Sequence, residues 1–340
     1  MPLRFGINGL GRIGRALLRL AWGRRELELA AINDVVPAAV LARLLARDTV
    51  HGPFPGTVAA SAGALAVDGR QVPVFQESEP ADIDWRRAGA TVVVEASGRF
   101  LGRQAAAAHL AGGARLVIIS ANDDPEDPAE VTLCQGINDA AFDPRQHQVI
   151  SNSSCTTNCL ALVAKVLHDG FGLRRALAGV VHSYTENQRL LDLAHPDPRR
   201  GRGAALNIIP TGTTAPRAVG LVLPVLAGRI EGFAVRVPTP AVAMLDLVAE
   251  LEREAAVNEV QAAFCAAAAG KLAPVLGVTE EELVSSDFVG EPRSAVVDLP
   301  LVQTTGALAR VVAWYDNEWG YANRLLDLLL RLSAEPGLGS

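Results

Sequence analysis

Over the first 150 residues, short apolar and β-branched runs alternate with Ala/Leu/Arg stretches. Leu3–Asn8 predicts a strand, and residues 12–22 predict a helix with an apolar stripe at Ile13, Ala16, Leu17 and Leu20. Residues 27–32 predict a second strand, and 91–95, 116–120 and 148–151 repeat the strand pattern. Strands separated by helices predict parallel βαβ units joined by right-handed crossovers, hence a doubly wound sheet.

The pattern changes after Cys155. A helix over 156–167 is followed by extended segments at 178–183, 232–237, 245–251, 294–298 and 309–315, and one further helix at 255–269. Few helices between strands predict a mixed or antiparallel sheet. Residues 188–205 are polar and Arg-rich with little periodicity, the profile of a functional loop. Residues 321–331 predict a final amphipathic helix. The expected fold class is therefore α/β: a doubly wound parallel sheet plus a mixed or antiparallel-sheet α+β domain. The expected division is 1–153, completed by a C-terminal helix over 320–336, and 154–319.

Composition narrows the function. A chain of 340 residues exceeds one ordinary core, so two domains are expected. With 49% hydrophobic and 20% charged residues it is not a disordered chain. The net charge of −6 gives no nucleic-acid footprint. The N-terminus lacks a signal-peptide layout, and no apolar stretch reaches the ~18 residues of a membrane span, so no membrane partner and a cytoplasmic location are expected. Four cysteines in so long a chain fit free core thiols or one catalytic thiolate.

Gly9-Leu10-Gly11-Arg12-Ile13-Gly14 fits G-x-G-x-x-G between a predicted strand and a predicted helix, with Asp34 20 residues past Gly14 at the end of the next strand. Such glycines permit a tight turn and close approach of a pyrophosphate to a helix N-terminus, the Rossmann dinucleotide arrangement. A carboxylate at Asp34 accepts from ribose hydroxyls and repels a 2′-phosphate, so NAD is the expected cofactor rather than NADP.

Ser151-Asn152-Ser153-Ser154-Cys155-Thr156-Thr157-Asn158-Cys159 lies where a strand gives way to a helix. Ser153 or Ser154 can cap that helix. Cys155 then falls in its first turn, where unpaired N–H groups are expected to lower the thiol pKa. Cys159 reads as a core residue. No further ligand cluster follows, so no metal is expected. His182, ending a predicted strand, is a candidate base for Cys155, since thiol nucleophiles are commonly activated by an imidazole brought near by the fold. Arg236 interrupts an apolar strand and needs a partner there.

Together, Ile7-Asn8-Gly9-x-Gly11-Arg12-Ile13-Gly14-Arg15, the Cys155 stretch, His182-Ser183-Tyr184-Thr185, Asn207-Ile208-Ile209-Pro210, Arg236-Val237-Pro238-Thr239 and Trp314-Tyr315-Asp316-Asn317-Glu318-Trp319-Gly320 resemble the landmarks of the glyceraldehyde-3-phosphate dehydrogenase family, in family order from residue 5 to about 330. The resemblance implies phosphorylating, NAD-dependent oxidation of glyceraldehyde 3-phosphate through a Cys155 thiohemiacetal and thioester, with His182 as base. It implies substrate or phosphate contacts at Ser154, Thr156, Thr185, Arg200, Thr213, Thr214 and Arg236. It implies NAD contacts at Gly9, Gly11, Arg12, Ile13, Asp34, Ser120 and Asn317. Its implied partners are a phosphorylated aldehyde, inorganic phosphate and three copies of the same chain, with the 188–205 loop near a neighbour's NAD.

Three departures stand out. Thr214 replaces a common Gly in the phosphate loop. Ser78 stands where many bacterial members have an adenine-side Arg. Leu193-Ala194 replaces Leu-Pro, a region where members that also use NADP carry small residues. Two other readings share some of these features: erythrose-4-phosphate dehydrogenase, faintly matched by His195-Pro196-Asp197, and a non-catalytic NAD-binding protein on the same fold, which a degraded active site would mark.

Overall fold

A computed structural model describes residues 1–335. The chain divides into two compact units, the first comprising residues 1–133, 140–153 and the C-terminal stretch from Ala322, the second residues 134–139 and 154–321. The short return of 134–139 to the second unit is not visible in the hydrophobic pattern.

The first unit holds β1 (Leu3–Asn8), α1 (Arg12–Ala21), β2 (Leu27–Asn33), α2 (Ala38–Ala46), the two-residue strands β3 (Arg47–Asp48) and β4 (Gly52–Pro53), β5 (Val58–Ser61), β6 (Ala64–Val67) and β7 (Arg70–Phe75). It continues with α3 (Trp85–Ala88), β8 (Val92–Glu95), α4 (Arg103–Ala111), β9 (Leu116–Ile119), β10 (Val131–Thr132) and β11 (Val149–Ser151). Its sheet runs β10-β11-β9-β8-β1-β2-β7-β6-β5. Pairing is parallel from β10 to β7, and antiparallel for β7-β6-β5. The parallel part matches the sequence expectation, whereas the antiparallel edge over 58–75 was not foreseen. Those strands are short and half-exposed, so their hydrophobic signal is weak.

β1 and β8 are buried almost throughout, as parallel strands covered on both faces must be. Chain order reverses between β1 and β8, so the crevice at their carboxyl ends is the expected ligand position. Helix α1 buries Ala16, Leu17, Leu18 and Ala21, while Ile13 and Leu20 of the predicted stripe are half-buried on its flank.

The second unit holds α5 (Cys155–Phe171), β12 (Leu173–Ser183), β13 (Ile209–Thr211), α6 (Ala215–Val222), β14 (Ile230–Val237), β15 (Ala243–Leu251), α7 (Val257–Ala269), β16 (Leu276–Thr279), β17 (Ala295–Asp298), β18 (Gln303–Thr305) and β19 (Leu308–Tyr315). Helix α8 (Trp319–Ser333) begins in this unit and ends in the first. Pro336, the last residue of the helix expected over 320–336, lies outside the described residues. The sheet runs β13-β14-β12-β15-β19-β17-β16, with β18 on β19. β12 and β14 are parallel, β16 and β17 are parallel, and the other pairs are antiparallel, giving the mixed sheet that the sparse helices predicted. The apolar face of α5, with Leu160, Val163 and Leu167, packs into a core with β12, β15 and β19.

Candidate active site

Cys155 opens α5 because the chain leaves β11 through a tight turn, with Ser153 held at φ 50°. Ser154 caps the helix, its Oγ accepting from Thr157 N at 3.2 Å. Capping satisfies one of the free N–H groups and fixes where the first turn begins. Cys155 is thus placed by local sequence, and tertiary pairing places what faces it.

His182 and Arg236 are direct cross-strand partners in the parallel β12-β14 register. The same strand end brings His182 opposite Ala243, which in turn pairs with Tyr315 on β19. Cys155 Sγ lies 3.8 Å from His182 Nε2 and 3.9 Å from Thr156 Oγ1. Thr156 Oγ1 is 2.8 Å from Tyr315 Oη, and the Tyr315 ring meets the His182 ring edge-on at 6.3 Å. Ser183 O accepts from His182 Nδ1 at 2.8 Å and from Arg236 Nη1 at 3.0 Å. A carbonyl has two lone pairs, so both donors fit. With Nδ1 carrying the proton, the Nε2 lone pair faces the sulfur.

The electrostatics correct one expectation. Burial pushes the Cys155 thiol up from its ordinary value, although a hydrogen bond from Thr156 and the charge of Arg236 pull the other way. The start of a helix alone therefore does not make this thiol acidic, because desolvation of the sulfur outweighs it. Burial, and then Arg236, lower His182 to about 4. The resting pair is a neutral thiol beside a neutral imidazole. Burial also lowers Arg236, the Cys155 and Tyr315 charges acting to raise it. Arg236 answers its need for a partner with one uncharged acceptor, Ser183 O, and its Nε is buried without one. Among the described residues no carboxylate pairs with it. A half-buried guanidinium lacking a carboxylate partner is a ready receiver for an anion.

The other expected contacts are spread over three loops of this unit. Arg200 donates twice to Thr211 Oγ1, at 2.9 and 2.7 Å. Thr213 Oγ1 accepts from Ala215 N at 3.3 Å, and exposed Thr214 is the residue preceding α6. Thr185 Oγ1 donates to Asn187 Oδ1 at 2.9 Å. Asn317 Oδ1 accepts from Ser183 Oγ at 3.0 Å, which fixes its amide.

In the first unit, Gly9 has φ 91°, and a Cβ there would stand 2.6 Å from Ser97 N and Cα. A Cβ on Gly14 would stand 2.2 Å from Gly9 O, whereas one on Gly11 would meet open space. Helix α1 starts at Gly11 with no side-chain cap, leaving its N–H groups for a ligand. Asp34 accepts from Leu10 N at 2.8 Å and Val36 N at 3.0 Å. Arg12 reaches Asp48, Ile13 is half-buried, and Ser120 N donates to Glu95 O at 2.9 Å. A glycine turn, an uncapped helix start and a strand-end carboxylate together fit a dinucleotide's pyrophosphate and ribose.

Sequence reasoning gave no role to Tyr315, Thr211, Ser183 or Asp48. Tyr315 and Ser183 lie inside runs singled out by resemblance. Asp48 carries no local mark, since its pairing with Arg12 spans 36 residues.

Comparison with known proteins now bears on this arrangement. Residues 3–103 match the family model "Glyceraldehyde 3-phosphate dehydrogenase, NAD binding domain", and residues 154–317 match "Glyceraldehyde 3-phosphate dehydrogenase, C-terminal domain". The chain belongs to the glyceraldehyde-3-phosphate dehydrogenase family. It is 48% identical over 336 residues to the glyceraldehyde-3-phosphate dehydrogenase of Geobacillus stearothermophilus, covering 98% of this chain and 99% of that one. It is 48% identical over 329 residues to glyceraldehyde-3-phosphate dehydrogenase 1 of Bacillus subtilis, covering 96% and 97%. With glyceraldehyde-3-phosphate dehydrogenase 2 of Streptomyces arenae the identity is 46% over 329 residues, covering 96% and 98%. Family membership extends across both units, so the glycine turn and the Cys155–His182 pair belong to one protein type.

Proposed function

We propose that this chain oxidises D-glyceraldehyde 3-phosphate to 1,3-bisphosphoglycerate with NAD and inorganic phosphate, using Cys155 as nucleophile and His182 as base. The observation that carries this reading is the 3.8 Å approach of Cys155 Sγ to His182 Nε2 beside a half-buried Arg236 without a carboxylate partner.

Residues 1–153 with the C-terminal helix are assigned to NAD, and 154–319 to chemistry. Gly9, Gly11, Arg12, Ile13, Asp34 and Ser120 would hold NAD in the first unit, with Asn317 assigned to it from the second. NAD, when bound, accepts the hydride. In the second unit, the Cys155 sulfur passes its proton to His182 Nε2 and adds to the aldehyde carbon, and the carbonyl oxygen takes that proton, forming a thiohemiacetal. His182 Nε2 takes the hydroxyl proton as the carbon loses its hydride, leaving a thioester on Cys155. A phosphate oxygen then attacks the thioester carbonyl, the C–S bond breaks, and the departing sulfur takes the proton from His182 Nε2, restoring the neutral thiol and imidazole. Splitting the oxidation this way retains its free energy in the acyl bond.

Arg236, Arg200, Thr185, Thr213, Thr214, Ser154 and Thr156 are assigned to the phosphate groups. An anion on Arg236 offsets the positive charge that depresses His182, so substrate binding makes the imidazole a stronger base. Asp34 favours NAD over NADP by repelling a 2′-phosphate.

Among the described residues no helix is long and apolar enough to cross a membrane. A cytoplasmic homotetramer is the assembly assigned here, supported by the exposed Leu190, Leu191, Leu193, Leu206 and Ile208.

The test is NADH formation from glyceraldehyde 3-phosphate, NAD and phosphate. Cys155→Ser should abolish turnover while leaving NAD binding intact. Turnover unchanged in that variant refutes the nucleophile. Faster turnover of erythrose 4-phosphate than of glyceraldehyde 3-phosphate would move the substrate assignment to the sister enzyme.

A further inference from the structure

Glu95 and His109 are titratable groups buried at 1% and 0% exposure that the chemistry above does not use. Glu95 ends β8 beside the point where chain order reverses. Its Oε2 accepts from Asn8 Nδ2 at 2.5 Å and from His109 Nε2 at 2.9 Å. Its Oε1 accepts from Ser97 N at 2.7 Å and Ser97 Oγ at 2.5 Å. The His109 tautomer is set by Trp85, whose Nε1–H can only donate and does so to His109 Nδ1 at 3.0 Å. Nε2 must then carry the hydrogen aimed at Glu95. All four contacts to the carboxylate are donors, the full complement of an ionised group.

The chain continues through Asn8. Asn8 Oδ1 accepts from Asn33 Nδ2 at 2.7 Å, and Asn33 Oδ1 accepts from Glu77 N at 2.9 Å. Asn8 precedes Gly9, and Asn33 precedes Asp34. Ser97, clamped twice by Glu95, is the residue whose backbone lies against Gly9 where a Cβ would be. One carboxylate therefore ties three strand ends together around the glycine turn. Glu95, His109, Asn8 and Asn33 are all buried, so the centre of the network does not receive a ligand itself and its role is mechanical.

We propose that Glu95 is a positioning residue for the dinucleotide, holding Ser97 and Asn8 around Gly9 so that the turn and Asp34 are set before NAD arrives. Pre-setting a site avoids an ordering cost on binding and so raises affinity without touching the ligand. This rests on the reading that the Gly9–Gly14 turn receives NAD. Glu95→Gln is nearly isosteric but replaces one oxygen by an NH2 group, which must then face donors on either side. Loss of charge-assisted hydrogen bonds of this kind corresponds to roughly tenfold to a hundredfold in a binding constant.

The experiment is calorimetric titration of the full-length apoprotein with NAD and with ADP-ribose, alongside steady-state kinetics. For Glu95→Gln, Kd should rise roughly tenfold to a hundredfold for both ligands. The KM for NAD should rise in parallel, with kcat at saturating NAD and the KM for aldehyde within about twofold of wild type. A fall in melting temperature with Kd unchanged overturns the proposal, as does a loss of kcat alone. Should Glu95→Gln fail to fold, Ser97→Ala decides, since it removes the hydroxyl that donates to Glu95 and accepts from Arg99 N while keeping the Ser97 N contact: weaker NAD binding supports the proposal and unchanged binding overturns it. Asp34→Asn separates the two layers of argument. If it leaves Kd for NAD unchanged, the turn is not the NAD site. If it weakens binding while Glu95→Gln and Ser97→Ala do not, only the role of Glu95 fails.

Discussion

At Cys155 burial and charge act in opposite directions on one sulfur. Burial raises the thiol, and Thr156 and Arg236 lower it, with burial the larger. Alkylation of the apoprotein by iodoacetamide should therefore accelerate with pH to a midpoint above that of an exposed thiol. A midpoint in the acid range would mean that a thiolate–imidazolium pair dominates instead. His182 gives a stability prediction whose sign follows from its depressed pKa of about 4. Between the ordinary value near 6.5 and about 4, the unfolded chain binds a proton that the folded one refuses. Its contribution is fully present at neutral pH and is lost as pH falls through that window, by roughly 3 kcal/mol. Urea unfolding at pH 7 and at pH 4 should show a steeper acid loss for wild type than for His182→Asn. The same variant should lower kcat roughly 10²–10⁴-fold. Arg236→Leu should raise KM for both aldehyde and phosphate, because a half-buried cation without a carboxylate partner is the proposed receiver for their charge.

Among the elements, two junctions matter most. The β11-to-α5 turn is fixed by Ser154, and Ser154→Ala should cost about 1 kcal/mol in unfolding free energy. It should also slow Cys155 alkylation, since the first turn loses its anchor. An unchanged melting temperature and alkylation rate would show that packing of α5 alone sets the cysteine. The β1-to-α1 turn depends on Gly9, where φ 91° and a 2.6 Å approach to Ser97 exclude a side chain. Gly9→Ala should therefore weaken NAD binding at least about tenfold and lower the melting temperature, the left-handed backbone alone costing about 1–2 kcal/mol. About half of the elements were legible: β1 is predicted to the residue and the other expected elements to within a few residues, whereas helices α2, α4 and α6 and several short strands were not expected. The thiol helix was underestimated, because its last turn, through Phe171, continues past a Gly and a His-Asp pair that read as a stop. The strands over 58–75 were missed because half-exposed strands of four to six residues have little periodicity to detect.

For the molecule as a whole, the proposed assembly would cover exposed apolar side chains of the second unit. Leu190, at 84% exposed, and Leu191, at 78%, lie on the loop over 188–205. Leu177 and Phe233 project from the sheet of the second unit, at 67% and 57% exposed. Isolated exposed apolar residues are ordinary, but side chains this exposed support the proposed covering by another chain. Sedimentation velocity should give a tetramer, and Leu190→Glu with Leu191→Glu should shift it to smaller species. A monomer in the unaltered protein would contradict the assembly.

The order of elements, the glycine turn, the strand-end acid and the position of the thiol at a helix start followed from the sequence, because each is a local pattern of a few residues. The pairing of Cys155 with His182 was legible only as a candidate, and its surroundings were not legible at all. Tyr315, Arg236 and His182 converge through the register of β19, β15, β12 and β14, and register is decided by which strands lie side by side. The same holds for Glu95, His109 and Asn8, which meet only when β8, α4 and β1 are packed. Burial, and with it the rise of the thiol and the fall of the imidazole, is a property of that packing rather than of any stretch of chain.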